Sequence, residues 1–154
     1  MLSSLAPFAA FQFRGDGVLR GWRSVGAGRL EGGLYLYGSK WNSPGFVSVD
    51  RYNLGELEAA TDTTDGGDGQ RYIGTLRYGL PLSPQTTLDA QVWGQLAQST
   101  VFLTLPEDDV LRQTAERDDR EALGFQALVN RATDDGEFSL GASGRADWTS
   151  YTLD

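Results

Sequence analysis

Apolar residues or glycines occupy every second position from Phe138 to Trp148, and no large apolar residue lies between them. Only a β-strand sorts a period of two onto opposite faces, so this stretch predicts a strand with one apolar face. That face is small in its middle and aromatic at both ends, as in lipid-facing strands with rings at the two membrane interfaces. At about 3.3 Å per residue and a tilt of about 40°, the stretch spans roughly 25 Å, the apolar height of an outer-membrane barrel.

The same alternation recurs along the chain and predicts further strands. In decreasing regularity these are residues 88–96, 72–80, 30–36 and 123–129, with weaker candidates of mixed faces at residues 17–25 and 7–14. Consecutive strands joined by short turns pair antiparallel. The sequence therefore predicts an all-β chain, an antiparallel up-and-down meander of about six strands. We expect this meander to be part of a transmembrane β-barrel, open or incompletely closed.

The connections between these strands alternate in length. Residues 26–28, 81–86 and 133–136 predict short turns, whereas residues 38–69 and 100–118 predict long loops. Outer-membrane barrels alternate in this way, because their periplasmic turns are tight and their extracellular loops are large. The two long loops are therefore expected to face the outside of the cell, which places Phe138 on the periplasmic side and Trp148 on the outer side.

Composition supports a β-rich domain. The 154 residues are 40% hydrophobic and 22% charged, which is ordinary for a folded domain, and the 20 glycines are well above the usual share. No stretch of 18 apolar residues occurs, so the sequence predicts no membrane-spanning helix. Strands of membrane barrels give a weaker signal and are not excluded by this finding.

Charge and missing residue types exclude several kinds of function. A net charge of −8 argues against nucleic acid as a partner, because binding phosphates needs a basic face. The chain has neither cysteine nor histidine, which removes disulfides, thiolate nucleophiles, Ser-His-Asp triads and the commonest metal ligand. Neighbouring carboxylates such as Asp108 and Asp109 would point to opposite faces of a strand. We therefore expect no enzymatic activity and no cofactor or metal.

Two stretches resemble TonB-dependent outer-membrane receptors. Residues 34–46, Leu-Tyr-Leu-Tyr-Gly-Ser-Lys-Trp-Asn-Ser-Pro-Gly-Phe, are similar to a strand of that family with an aromatic end, a Trp and a Ser-Pro-Gly loop. Residues 101–106 are similar to a later part of those receptors, where an acidic-basic cluster, here residues 116–120, opens a descending strand. The resemblance covers roughly residues 18–154.

The resemblance implies a barrel of about 22 strands closed by an N-terminal plug. Such receptors import scarce nutrients, for example ferric siderophores, cobalamin or glycans, with energy passed from the inner membrane through a TonB box. The 154 residues are too few for that barrel and show no plug, TonB box, signal peptide or aromatic last residue. We therefore expect residues 1–154 to be an internal piece of a receptor barrel in the bacterial outer membrane. Its partners would be lipid, a small-molecule ligand and, through the parent's plug, the TonB system.

Two sets of side chains are candidates for contacts inside such a receptor. Aromatic and arginine residues in the first long loop are suitable anchors for a ligand. They are Trp41, Phe46, Arg51 and Tyr52. The second set is polar and would face the lumen, where it contacts either the plug or water. Its members are Arg71, Arg77, Asp89, Gln91 and Gln95.

Two charged stretches have a functional and a simpler interpretation. Residues 61–69 place three carboxylates among glycines, but their spacing is not that of an EF-hand, so a solvated acidic loop is favoured over a calcium site. Residues 116–121 mix Glu, Arg and Asp at the foot of a strand. A solvated ion-pair network there is favoured over a site for lipopolysaccharide or a ligand.

Two other classes of protein stay open. A soluble secreted β-sandwich or a lipocalin-like binding module also has strands with one apolar face. Its core would carry bulky residues in the middle of that face, where this chain often has glycine and alanine. A complete barrel of eight strands is a third possibility, but the predicted strands are fewer than eight.

Overall fold

The computed structural model describes residues 12–43, 53–55, 65–107 and 110–154. Nearly all of these residues lie in six strands: β1 (Gln12–Val25), β2 (Gly28–Asn42), β3 (Gly66–Ser83), β4 (Thr86–Glu107), β5 (Val110–Thr133) and β6 (Gly136–Leu153). The strands pair antiparallel in chain order and form one up-and-down sheet that does not close into a barrel. The predicted all-β meander of six strands is therefore confirmed. The described residues contain no helix that is long and apolar enough to cross a membrane.

The register of the sheet brings the regularly alternating apolar positions of the six strands to one side, although Val18, Trp22, Ile73 and Leu128 lie on the other. Val92 of β4, for example, lies opposite Leu76 of β3 and Phe125 of β5. We call this side the apolar face and the opposite side the polar face. The larger side chains of the apolar face are Leu19, Leu30, Leu34, Leu36, Tyr72, Leu76, Tyr78, Leu88, Val92, Leu96, Leu123, Phe125, Val129, Phe138, Leu140 and Trp148.

Nothing in the described part of the chain covers the apolar face. Contacts between elements join only strands that are neighbours in the sheet, and Ala122 is the one buried hydrophobic residue among those described. Leaving a Leu, Val or Phe about half exposed withholds roughly 1 kcal/mol of burial energy. Summed over this face, the loss is on the order of 15 kcal/mol, as large as the whole stability of an ordinary domain. The face therefore requires a covering layer.

Aromatic rings mark both ends of the apolar face on two strands only. They are Tyr72 and Tyr78 on β3, and Phe138 and Trp148 on β6. In β5 the aromatic ring is that of Phe125, and it lies in the middle of the apolar face. This ring packs over Gly144 of β6, where a Cβ would come within 2.5 Å of it. The arrangement predicted from β6, with aromatic rings at both ends of the apolar face and small residues between them, therefore does not extend to every strand.

Three predicted short turns are present. The turns comprise residues 26–27, 84–85 and 134–135, all at one end of the sheet. Gly26 has a φ of 59°, a left-handed conformation that glycine adopts without steric cost. The two-residue length suits the tight connection of antiparallel strands. The connection from β2 to β3 covers residues 43–65, so it is shorter than the predicted 38–69.

The prediction of a long loop at residues 100–118 is wrong. β4 continues to Glu107 and β5 begins at Val110, so most of this stretch is paired strand. The charged residues that suggested a loop are accommodated because neighbours two apart on one face form ion pairs. Arg117 binds Asp119 at 2.9 Å, and Arg120 binds Asp118 at 2.5 Å. The predicted ion-pair network is thus present, within a strand.

The two weakest predicted strands, at residues 17–25 and 7–14, both contribute to β1. Residues 17–25 form most of β1, and its mixed pattern follows from Arg23 and three glycines on the apolar side. Of the candidate at residues 7–14, only 12–14 belong to β1, and residues 7–11 lie outside the described residues.

Candidate functional site

The polar face carries every side chain that the sequence analysis assigned to a lumen. Arg71, Arg77, Asp89, Gln91 and Gln95 share this face through the register of β3 and β4. Arg77 donates from Nε to both carboxylate oxygens of Asp89, at 2.8 and 2.9 Å, and a second nitrogen also bonds Asp89. Its charge is therefore compensated across the strand pair. Whether this face borders a lumen stays a prediction.

A depression of about 550 Å³ lies on the polar face near the end of the sheet at which β2 stops and β3 begins. Its floor is made of small residues on three neighbouring strands, which the register places in two adjacent rows. These residues are Ser39, Gly69, Ala97 and Ser99. Because small side chains leave the backbone uncovered, longer side chains around them form walls.

Arginines and aromatic rings form the walls of this depression. One row across the sheet runs from Tyr37 of β2 to Arg71 of β3, then past Ala97 to Arg120 of β5. Arg14 of β1 places its guanidinium 5.2 Å from the centre of the Tyr37 ring, within cation–π range. Adjacent strands are about 4.8 Å apart, so the Cα atoms of Arg71 and Arg120 are roughly 10 Å apart across Ala97.

Trp41 bounds the depression on the side nearest the end of β2. It lies in strand β2 and not in a loop, which corrects the sequence-based placement. Its indole covers Gly67 of β3, where a Cβ would lie 2.6 Å from the ring. The other predicted loop anchors, Phe46, Arg51 and Tyr52, lie outside the described residues. Whether any of these four residues binds a ligand stays a prediction, and Trp41 is the one among them that the structure describes.

The charges of the depression are unevenly compensated. Arg120 donates from Nε to both oxygens of Asp118, at 3.1 and 2.9 Å, so this pair is nearly neutral. Arg14 and Arg71 make no ion pair with any residue in the described ranges. Two guanidinium groups therefore remain available beside three aromatic side chains, Tyr35, Tyr37 and Trp41.

A second group of polar-face side chains is structural. Trp93 of β4 covers Gly124 of β5, where a Cβ would come within 2.4 Å of the indole. The ring thereby reaches Arg145 of β6, whose guanidinium lies 5.3 Å from the ring centre. Arg145 in turn binds Asp147 at 2.5 Å. This stack links three strands and fixes the side chains at the middle of the face.

The corresponding stack in the first hairpin joins β1 to β2. Arg29 lies 4.5 Å from the centre of the Trp22 ring and binds Glu31 at 2.9 Å. Trp22 is 65% exposed even so, and the partly open surface beside it includes Arg20 and Thr75. Like the larger stack, it restrains an arginine without burying it.

The acidic stretch at residues 61–69 is described only from Asp65 onward. Asp65 is 1% exposed and accepts a hydrogen bond of 2.7 Å from the Thr104 hydroxyl of β4. Its backbone carbonyl accepts a second bond from the Ser43 amide at 2.7 Å, which joins the two ends of the long connection. Asp65 therefore has a structural partner. In the described ranges, no three Asp, Glu, His or Cys residues lie close enough to hold a metal ion.

Arg14 and Tyr37 belong to the depression but were not among the candidate site residues of the sequence, whereas Arg120 belongs to the charged stretch at residues 116–121, for which a ligand site was the less favoured interpretation. A signal for Tyr37 exists, because Tyr35 and Tyr37 occupy the polar side of an otherwise regular alternation. No comparable signal marks Arg14, and the place of Arg14 and Arg120 in one depression depends on the register of distant strands. A comparison of the sequence with known protein families and with curated proteins gives no match. The resemblance to TonB-dependent receptors therefore rests on residue pattern alone.

Proposed function

We propose that this chain forms part of the barrel wall of a TonB-dependent outer-membrane receptor, which takes up a scarce nutrient such as a siderophore. In this proposal the apolar face contacts lipid and the polar face borders the path of the ligand. The chain takes part in transport and not in catalysis.

The observation that carries the proposal is the uncovered apolar face, whose interior contains one described charged residue, Arg23 of β1. This face crosses all six strands, and no described part of the chain covers it. The reverse side carries exposed ion pairs, which fits a barrel wall between lipid and an aqueous interior. On the apolar side, Lys40, Asp68 and Asp119 lie beyond the band, at the level where the headgroups of lipid would lie. Glu121 and Arg131 lie in its terminal rows, opposite Trp148 and Phe138, and Arg23 of β1 is the one charged residue inside it among those described.

The middle of the apolar face also favours lipid as its covering layer. Gly74 of β3 lies directly opposite Gly94 of β4, and a Cβ at Gly74 would meet nothing within 4 Å. A second protein layer would leave a void at such a site, at a cost that grows with its volume. Flexible acyl chains fill an irregular surface, so the open glycines are tolerated in a membrane.

One observation favours the second candidate, a soluble β-sandwich or lipocalin-like binding module. Leu76, Val92 and Phe125 form a bulky row at the centre of the apolar face, as in a soluble core. A second layer of protein would then replace lipid. The two candidates differ in what touches the apolar face, and this difference can be measured.

Quenching of single tryptophans by brominated lipid tests the proposal. Two variants of the full chain are prepared, one retaining only Trp148 on the apolar face and the other only Trp93 on the polar face. Each is folded into phosphatidylcholine vesicles with brominated acyl chains. We expect strong quenching of Trp148 and little quenching of Trp93. Equal quenching of both, or cooperative folding in buffer without lipid, would contradict the proposal.

A further inference from the structure

We propose that the depression bounded by Arg14, Arg71 and Arg120 binds a small organic anion with more than one carboxylate or phosphate group. The binding follows from the charges and shape of the depression. The role of the anion as transported cargo rests additionally on the proposed function.

The electrostatics of the surrounding surface favour an anion. The polar face of β1 to β3 carries five arginines against two carboxylates, although the whole chain has a net charge of −8. These residues are Arg14, Arg20, Arg29, Arg71 and Arg77, with Asp16 and Glu31. A local positive surface on an acidic protein concentrates anions where the field lines converge. An excess of positive charge therefore lies on the strands that form the β1 to β3 side of the depression, and its β5 side carries Arg120 paired with Asp118.

The two arginines without ion-pair partners supply the direct contacts. Arg71 lies at the centre of the row, beside Tyr37 on one strand and Ala97 on the other. A planar guanidinium binds a carboxylate or phosphate through two parallel hydrogen bonds. Arg14 is held against the Tyr37 ring, so it loses less conformational freedom when it engages a ligand.

The shape of the depression selects a ligand with separated anionic groups. Small residues form the floor, and Arg71 and Arg120 rise from strands roughly 10 Å apart on either side of it. Arg120 is bound by Asp118, so it offers only its remaining donors. Trp41 and Tyr37 provide ring faces beside the floor. A ligand that spans the floor can therefore place one anionic group at Arg71 and a second toward Arg120.

Binding of two probe anions tests this inference in the full chain folded in detergent micelles. Citrate represents carboxylates, glucose 6-phosphate represents phosphates, and glucose is the neutral control. Calorimetric titration is expected to show binding of at least one anion, weaker at high salt, and none of glucose. R71Q is expected to weaken that binding at least tenfold.

Two further variants separate a direct contact from a general effect of charge or folding. R77Q removes an arginine from the same strand and face, but one that is paired with Asp89, and should change the affinity less than twofold. R71K keeps the charge without the planar fork and should give an intermediate affinity. Circular dichroism verifies that each variant keeps its strand content.

The outcomes distinguish this inference from the proposed function. Failure of both anions to bind, or equal losses in R71Q and R77Q, overturns the anion site and leaves the lipid contact of Trp148 unaffected. Binding that depends on Arg71 in a chain that folds without lipid supports the anion site and overturns the membrane proposal.

Discussion

A charged residue on the apolar face should destabilise the protein according to its depth. Val92 is the middle of five apolar-face positions on β4 and lies between Leu76 and Phe125. It lies four positions along the strand from Leu88 and four from Leu96. At about 3.3 Å per residue and a tilt of about 40°, Val92 is roughly 10 Å below either end of the band. An arginine side chain cannot bring its charge to water over that distance without distorting the membrane.

The magnitude follows from that depth. An arginine at the midplane of a lipid-facing strand costs about 2–4 kcal/mol, and near the interfaces about 0–1 kcal/mol. V92R should therefore lower the free energy of unfolding by about 3 kcal/mol, which is about a hundredfold in the ratio of folded to unfolded chains. L88R and L96R should each lower it by less than about 1 kcal/mol.

Unfolding by urea from phospholipid vesicles, followed by tryptophan fluorescence, measures these differences. Q95R is the matched control, because Gln95 lies on the polar face of the same strand, opposite Ile73 and Ala122. It should change stability by no more than about 0.5 kcal/mol. A flat profile along β4, or a loss in Q95R as large as in V92R, would refute the assignment of the two faces.

Two further substitutions test interactions that hold the sheet together. G124A forces a Cβ to within 2.4 Å of the Trp93 indole and should cost about 1–3 kcal/mol in the same urea assay, whereas G74A, with nothing within 4 Å, should cost less than about 0.5 kcal/mol. Equal effects would show that Trp93 does not require the glycine. T104V removes the hydroxyl that bonds the buried Asp65 and should cost about 1–3 kcal/mol, while T104S should retain most of the stability. If T104V were as stable as T104S, the hydrogen bond from Thr104 to Asp65 would contribute nothing measurable to the free energy of unfolding.

The strands and their faces were predictable because each depends on local alternation alone. Leu88 to Leu96 defines its own apolar side, whatever strand lies next to it. A period of two leaves two possible faces, and pairing strands of similar apolar length aligns those faces. The predicted meander therefore needed no knowledge of long-range contacts.

The hairpin of β4 and β5 was not predictable in the same way. Glu116 to Glu121 reads as a solvated loop, since no apolar residue marks either face. In the sheet these residues pair with β4 beyond or at the edge of the apolar band, and ion pairs between positions two apart compensate their charges. Polarity in a strand of this kind reports its position at or beyond the end of the apolar band and not the absence of pairing.

The depression depends on register, which a single sequence does not specify. Tyr37, Arg71 and Arg120 are far apart in the chain, and they share one row only because of the lengths of the intervening connections. Shifting β3 by one residue against β2 would move Arg71 to the apolar side. The sequence predicted that Arg71 lies on the polar face. Its neighbours there, Tyr37 and Ala97, are known only from the register of the sheet.

The two outer edges of the sheet add an argument for a larger wall. In the described part of the chain, β1 and β6 each pair on one side only, over 14 and 18 residues. Neither strand contains proline, a residue that often protects exposed edges, and only Arg23 places a charge on the apolar side of β1. In lipid, every backbone amide and carbonyl must be hydrogen-bonded, so the edges of a lipid-facing sheet must pair with further strands, whether of the same protein or of other copies of the chain. Because β1 and β6 run in opposite directions, additional antiparallel strands joining both edges would complete the wall and cover the unpaired groups. The same edges in a soluble module would be long edges without proline, protected against aggregation only by charged side chains such as Arg23 and Arg145, which favours the barrel proposal.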